Sequence, residues 1–192
     1  MCAKPTVILS GVMPKLLRVR KDGDPVLRRR AKKVSRVDPS LRTLVEDMFY
    51  TMYNNDQRGI GLAAPQIGVS LRIIVIDMQD DEHDPVALIN PEIVKQSATT
   101  LLGTEGCLSV PGLRGDVSRA EWVMVKARDD QGHQKRLRAD GWFARCLQHE
   151  IDHLDGILFT DKAENVRDVA EDEVAEERAR REAAGEKVPA CI

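Results

Sequence analysis

The sequence predicts an α+β fold, with antiparallel or mixed β-sheets around a central helix that carries an HExxH motif. Short segments rich in β-branched residues fill the middle of the chain, and amphipathic helical patterns lie on either side of them. Strands followed by a late helix are typical of α+β proteins rather than of alternating βαβ units. The chain has 192 residues, of which 42% are hydrophobic, enough for one core. We therefore expect a single domain over residues 1–192.

The N-terminal helix and the strands follow from local signals. Asp38 can cap a helix whose first turn contains Pro39, and apolar residues then recur at helical spacing to Met52. A turn at Asp130–Gln131–Gly132 predicts a hairpin into residues 134–137. The predicted strands are each too short for a helix and rich in β-branched residues: 71–78, 86–94 and 121–129.

The central and C-terminal helices are predicted from the last third of the chain. Asp140 can cap a helix that runs to Leu154, and Gly156 can end it. One face of this helix is an aliphatic stripe and the other carries polar residues, so both faces should be buried. A C-terminal helix is expected from Lys162 to about Ala184, within a charged tail.

Composition excludes several function classes. With 31% charged residues, the chain has no run approaching the roughly 20 apolar residues that span a membrane. A net charge of −2 gives no overall attraction to DNA or to an anionic membrane. Four widely spaced cysteines do not resemble a disulfide framework, and the first residues do not resemble a secretory signal. We expect a cytoplasmic protein without DNA or membrane partners.

The HExxH motif lies inside the predicted central helix. Residues four apart share one face of a helix, so His149 and His153 can bind one metal ion. Glu150 then lies beside the metal without binding it, where it can accept a proton from a bound water. Cys146 lies one turn before His149 on the same side. A chance HExxH on an amphipathic helix is the alternative, so a third ligand must be found.

Three sources of a third ligand can be compared. A metzincin would have a third histidine where this chain has Phe159. A zincin-type metallopeptidase would use a downstream carboxylate, and Glu171 or Glu173 is available without a specific spacing. Cys107 is the stronger candidate, because a thiolate binds zinc or ferrous iron well and the preceding glycine allows close backbone approach.

Three segments together resemble the peptide deformylase family, whose pattern is GxGLAAPQ, EGCLS and QHExDHLxG in this order. Residues 59–66, 105–109 and 148–156 match these motifs without a gap. The resemblance extends over residues 14–165, the expected catalytic core, and leaves residues 166–192 as a charged helix or tail. It implies a metal-dependent hydrolase that removes formyl from the N-terminal formylmethionine of nascent polypeptides.

The resemblance also implies roles for individual residues. Glu150 would be the general base and acid, and the Gln66 side chain and the Leu108 N–H would stabilise the oxyanion. Peptide substrate would pair as an added strand with the backbone of Ile60, Gly61 and Gly106. The metal would be bound by Cys107, His149 and His153. The methionine pocket would be lined by Trp142, Arg145 and Cys146.

Cofactor, partner and supporting residues complete the predictions. Family members commonly use Fe(II), although zinc, nickel and cobalt also accept imidazole and thiolate ligands. Partners are N-formylmethionyl nascent peptides and the ribosome surface near the exit tunnel, a contact that the acidic tail argues against. We expect an ion pair between Arg119 and Asp152 to support the site, and Glu105 to support the cysteine loop. His83 and His133 are expected to be exposed and without function.

Overall fold

The described part of the chain contains two α-helices, two antiparallel sheets and three short 3-10 helices, at Pro25–Arg28, Ala64–Ile67 and Phe159–Asp161. The computed structural model describes residues 13–55, 57 and 59–168. Helix α1 spans Pro39–Asn54 and helix α2 spans Gly141–Leu154. The strands are β1 Gly61–Ala63, β2 Ile73–Ile76, β3 Val86–Gln96, β4 Thr100–Cys107, β5 Val110–Ala120, β6 Trp122–Arg128, β7 Gln134–Asp140 and β8 Glu164–Asp168.

Helix α2 lies centrally, in contact with both sheets. The larger sheet has the strand order β1-β2-β3-β6-β7, and the smaller sheet has the order β4-β5-β8. All named strand pairs are antiparallel. Helix α2 contacts strands of the larger sheet and also β5 of the smaller one. The predicted α+β class and its antiparallel sheets are confirmed.

Helix α1 begins where the sequence predicts. The Asp38 carboxylate accepts a hydrogen bond from the Leu41 N–H at 3.0 Å, which satisfies one of the free donors of the first turn. The apolar face of α1 packs against β2 in one buried cluster. That cluster includes Leu41, Val45, Met48 and Met52 of the helix and Ile73 and Val75 of the strand.

Helix α2 buries an aliphatic stripe against the larger sheet. Leu147, Ile151 and Leu154 belong to one core cluster with β-branched residues of β2 and β6. Asp140 occupies the N-cap position, but its side chain caps no helix N–H and instead accepts from the Arg138 guanidinium at 3.1 Å. Gly156 ends the helix as predicted, with φ of 78° that favours glycine.

The C-terminal prediction is wrong for the described residues. A helix was expected from Lys162, whereas Glu164–Asp168 form strand β8, paired with β5. Pairing and the Arg167–Asp116 ion pair at 3.4 Å override the local helical preference. The remainder of the predicted helix lies outside the described residues. Within the described part of the chain, neither helix has the length and apolar character needed to cross a membrane.

Strands β4 and β5 were not predicted. They form a long hairpin whose turn is Leu108–Ser109, with Cys107 opposite Val110. Several glycines and a proline weaken the strand pattern here, because such residues usually end strands. Three of the glycines instead admit neighbouring side chains: Gly103 faces Arg145, Gly106 faces Arg114 and Gly115 faces Ala163.

Candidate metal centre

The three predicted ligands meet where the β4–β5 hairpin approaches helix α2. Cys107 is the last residue of β4, while His149 and His153 lie one turn apart on α2. All three are buried, and one ligand atom from each lies within 4.8 Å of the others. Cys107 Sγ lies 3.2 Å from His153 Nε2. The arrangement therefore places one sulfur and two imidazoles around a common point.

The chemistry of these donors fits a divalent metal ion. Burial raises the pKa of the Cys107 thiol to about 12, so its thiolate needs a nearby cation. Burial, followed by the charge of His149, lowers the pKa of His153 well below its usual value and keeps the ring neutral for ligation. One thiolate and two neutral imidazoles suit zinc, iron, cobalt or nickel and leave a position open for water or substrate.

Glu105 orients the first histidine. Its Oε2 lies 2.9 Å from His149 Nδ1, which leaves Nε2 of that ring for the metal. Burial raises the pKa of Glu105, but hydrogen bonds from Arg119 and His149 outweigh it and hold the pKa well below its usual value. Arg119 also contacts Asp152, which is the predicted ion pair. Glu105 thus remains a buried carboxylate behind the metal site.

Glu150 follows His149 on α2 and is not one of the three residues whose ligand atoms cluster. Its Oε2 is buried without a hydrogen-bond partner among the described residues. Burial, followed by the charge of Glu105, raises the pKa of Glu150 well above its usual value. The carboxylate lies against Gly61, where an added Cβ would stand 2.9 Å from its Cδ. A buried carboxylate with a raised pKa can take up and return a proton.

Gln66 and the Cys107 turn bring two hydrogen-bond donors to the site. Gln66 Oε1 accepts from the Ala63 N–H at 2.7 Å, which directs Nε2 towards Cys107 Sγ at 3.4 Å. Ser109 donates its N–H to the same sulfur at 3.4 Å. Leu108, whose N–H is the other predicted oxyanion donor, lies in the turn between Cys107 and Ser109.

Sequence reasoning missed the N-terminal segment that supports these donors. Lys21 Nζ donates to the Leu108 carbonyl oxygen at 2.7 Å, and the Asp22 N–H donates to the Ser109 carbonyl at 2.8 Å. The Arg20 N–H donates to the Gln66 carbonyl at 2.6 Å. These are mostly backbone contacts, so no residue pattern could have revealed them.

The predicted substrate-binding residues occupy different surroundings. Ile60 is buried and directly precedes edge strand β1, which begins at Gly61 beside Glu150, and Gly106 faces Arg114. Trp142 is 38% exposed at the start of α2, with the Arg145 guanidinium 5.8 Å from its ring centre. Cys146 is fully buried in the aliphatic core cluster.

The sequence also singled out Phe159, two C-terminal glutamates and two further histidines. Phe159 stacks on His149 with ring centres 6.2 Å apart, so it forms a wall where a metzincin would have a ligand. Glu171 and Glu173 lie outside the described residues. His133 is exposed as predicted, whereas His83 is half-buried, 4.9 Å from the Phe143 ring centre.

Comparisons with known proteins agree with this geometry. The polypeptide deformylase family model matches residues 16–169. This chain belongs to the polypeptide deformylase family. A peptide deformylase of Symbiobacterium thermophilum is 52% identical over 164 residues, 85% of this chain and 74% of the relative. A peptide deformylase of Dictyoglomus turgidum is 48% identical over 163 residues, 85% of this chain and 99% of the relative.

Solved deformylase structures share the fold. The crystal structure of the Thermotoga maritima peptide deformylase has a TM-score of 0.74 and 42% identity, covering 78% of this chain and 99% of that one. The Synechococcus elongatus enzyme, solved in complex with actinonin, also has a TM-score of 0.74, with 43% identity over 95% of this chain and 96% of that one. The predicted family is confirmed.

Proposed function

We propose that this chain is a metal-dependent hydrolase that removes the formyl group from the N-terminal formylmethionine of nascent polypeptides and releases formate. Membership of the deformylase family supports the reaction. One observation carries the assignment to this site. Donor atoms of Cys107, His149 and His153 lie within 4.8 Å of one another, and the unligated carboxylate of Glu150 is buried beside them.

Each residue of the site has a separate role in the proposed hydrolysis. When bound, the metal lowers the pKa of a water molecule and polarises the formyl carbonyl. Glu150 accepts the proton of the attacking water, whose oxygen bonds to the formyl carbon. Gln66 Nε2 and the Leu108 N–H donate to the carbonyl oxygen as negative charge develops on it. Glu150 then returns the proton to the amine nitrogen as the C–N bond breaks, which releases formate and a free amino terminus.

The peptide is bound beside this machinery. Edge strand β1, which begins at Gly61, and the preceding Ile60 support addition of the substrate as a further strand, and Gly106 offers backbone on the opposite side. Trp142, Arg145 and Cys146 are proposed to line the methionine pocket. The contact with the ribosome surface and the cytoplasmic location stay predictions.

Fe(II) is the proposed native metal. The donor set also fits zinc, nickel and cobalt, and the thiolate reduces the Lewis acidity of whichever ion it binds. We expect the iron form to be active and sensitive to oxygen, and the zinc form to turn over more slowly. Equal formate release by iron and zinc forms prepared without oxygen would contradict this choice.

Residues 14–165 are proposed to form the catalytic core of one domain that spans the chain. The three proposed ligands lie on β4 and α2, and the nearby Gln66 lies in the 3-10 helix Ala64–Ile67. These segments are far apart in sequence. The N-terminal segment at Lys21 also supports the site. Limited proteolysis should leave a fragment close to these limits that retains activity, whereas loss of activity on trimming to residue 165 would contradict the boundary.

The direct test is formate release from a formyl-Met tripeptide by protein purified without oxygen, with its metal content quantified. An unformylated longer peptide serves as the control for internal cleavage. We expect formate without peptide cleavage. Cleavage of the longer peptide without formate would overturn the proposal in favour of a metallopeptidase.

A further inference from the structure

Arg145 is a buried arginine on the face of helix α2 that meets the smaller sheet. Its side chain is 5% exposed, although a guanidinium is costly to bury without partners. It donates to the Glu105 carboxylate at 2.7 Å. It also donates to three backbone carbonyl oxygens of β4 and β5: Leu101 at 2.6 Å, Val117 at 2.8 Å and Gly103 at 3.3 Å.

Gly103 has no side chain and so leaves room for this guanidinium. A Cβ added at Gly103 would stand 2.8 Å from Arg145 Nη2 and 2.9 Å from its Cζ, closer than carbon atoms approach such groups. The backbone of Gly103 does not adopt a positive φ, so glycine is not needed there for conformation. The two residues are therefore fitted to each other across the helix–sheet interface.

Arg145 and His149 bind the two oxygens of one carboxylate. Arg145 Nη1 contacts Glu105 Oε1, and His149 Nδ1 contacts Oε2. The two residues are four apart on α2 and so are neighbours on one helical face. Arg119 approaches the same carboxylate from β5, with 2.9 Å contacts to both oxygens. Donors from the helix and from the sheet thus fix the plane of the carboxylate.

The orientation of this carboxylate sets the ring of His149. A carboxylate that accepts from Nδ1 holds the tautomer in which Nε2 carries the lone pair for a metal. Without Arg145, Oε1 would keep only its contact with Arg119. Among the described residues, the bond to His149 would then be the remaining hydrogen bond from Glu105 to α2, so the carboxylate would hold the ring less firmly.

We propose that Arg145 is a positioning residue of the metal centre, which acts through Glu105 to keep His149 Nε2 directed at the metal. This inference rests on the proposed ligand set of Cys107, His149 and His153. It gives the guanidinium a task that is separate from lining the methionine pocket.

Two variants test this role, with a matched control. Arg145→Met removes the guanidinium and keeps the length of the side chain. Gly103→Ala displaces the guanidinium without altering any residue that contacts the metal. Arg72→Met is the control, because Arg72 is also buried and also donates to carbonyl oxygens and one carboxylate, but that carboxylate belongs to Asp155.

The measurement is the affinity of each full-length protein for Co²⁺ in competition with a chelator, together with the visible absorption of the cobalt site. Removal of an outer partner of a metal ligand typically costs 10- to 100-fold in metal affinity. Because Arg145 acts one contact further out, through Glu105, we expect a loss at the lower end of that range, about 10-fold, and altered cobalt absorption for Arg145→Met and Gly103→Ala, with wild-type values for Arg72→Met.

The outcomes separate this inference from the proposed function. Wild-type affinity and an unchanged cobalt spectrum in both test variants would overturn the role of Arg145. An equal loss in Arg72→Met would also overturn it, because the effect would then follow from general destabilisation. If Arg145→Met does not fold, Gly103→Ala decides. Failure of the wild-type protein to bind Co²⁺ would instead overturn the ligand set itself.

Discussion

Gly61→Ala tests whether the position of Glu150 controls turnover. An added Cβ would stand 2.9 Å from both Cγ and Cδ of Glu150, whereas ordinary contacts begin at 3.4 Å. Because the backbone of β1 is held by β2, the carboxylate must move, by about 1 Å if its carbons are to reach the optimal separation of about 4 Å. Misplacement by 1 Å costs a rate factor of about 100, or about 2.7 kcal/mol of transition-state stabilisation. We therefore expect kcat to fall about 100-fold.

The assay is formate release from a formyl-Met tripeptide, with metal content and KM measured on the same samples. Metal content should stay unchanged, because Gly61 contacts the carboxylate and not the three ligands. Val45→Ile is the control, since it adds one methyl group to a buried site on α1. Full kcat in a metal-loaded Gly61→Ala protein would refute the reasoning, as would an equal loss of kcat in the control.

Three further substitutions give distinct expected results. Glu150→Ala should keep its metal, as measured by elemental analysis, and release formate at least about 100-fold more slowly. Loss of the metal in this variant would contradict the proposal that Glu150 does not bind the metal. Glu105→Ala leaves the buried Arg145 without a carboxylate and Arg119 with Asp152 alone, and should lower the free energy of unfolding, measured in urea, by about 3–5 kcal/mol. A loss under about 1 kcal/mol would contradict that burial cost. Thr51→Val leaves a backbone N–H of the N-terminal segment unpaired and should cost about 1–2 kcal/mol, whereas unchanged stability would contradict this contact.

Local signals were sufficient for helices α1 and α2 and for the pairing of the two candidate histidine ligands. Asp38 and Pro39 mark the start of α1 because capping and the fixed φ of proline are properties of the chain itself. His149 and His153 share a face because helical periodicity requires it. Cys107, which is far away in sequence, was favoured as the third ligand by the chemistry of its thiolate and then by the family resemblance, and the structure places its sulfur beside the two histidines.

Features that depend on tertiary contact were not predictable. The β4–β5 hairpin was missed because its glycines suggested the ends of strands. Gly103 and Gly106 instead leave room for arginine side chains that lie against the strand. Strand β8 forms only because β5 offers an edge to pair with. The hydrogen bond from Lys21 to Leu108 joins residues 87 positions apart, and no local pattern encodes it.

The ligand set is tested most directly by titrating Cys107→Ser with Co²⁺ beside the wild-type protein. We expect the wild-type protein to bind one ion with thiolate-to-cobalt absorption, and the variant to lose both the tight binding and this absorption. Tight binding of one ion by Cys107→Ser would contradict the site of Cys107, His149 and His153, and would point to a third ligand elsewhere in the chain.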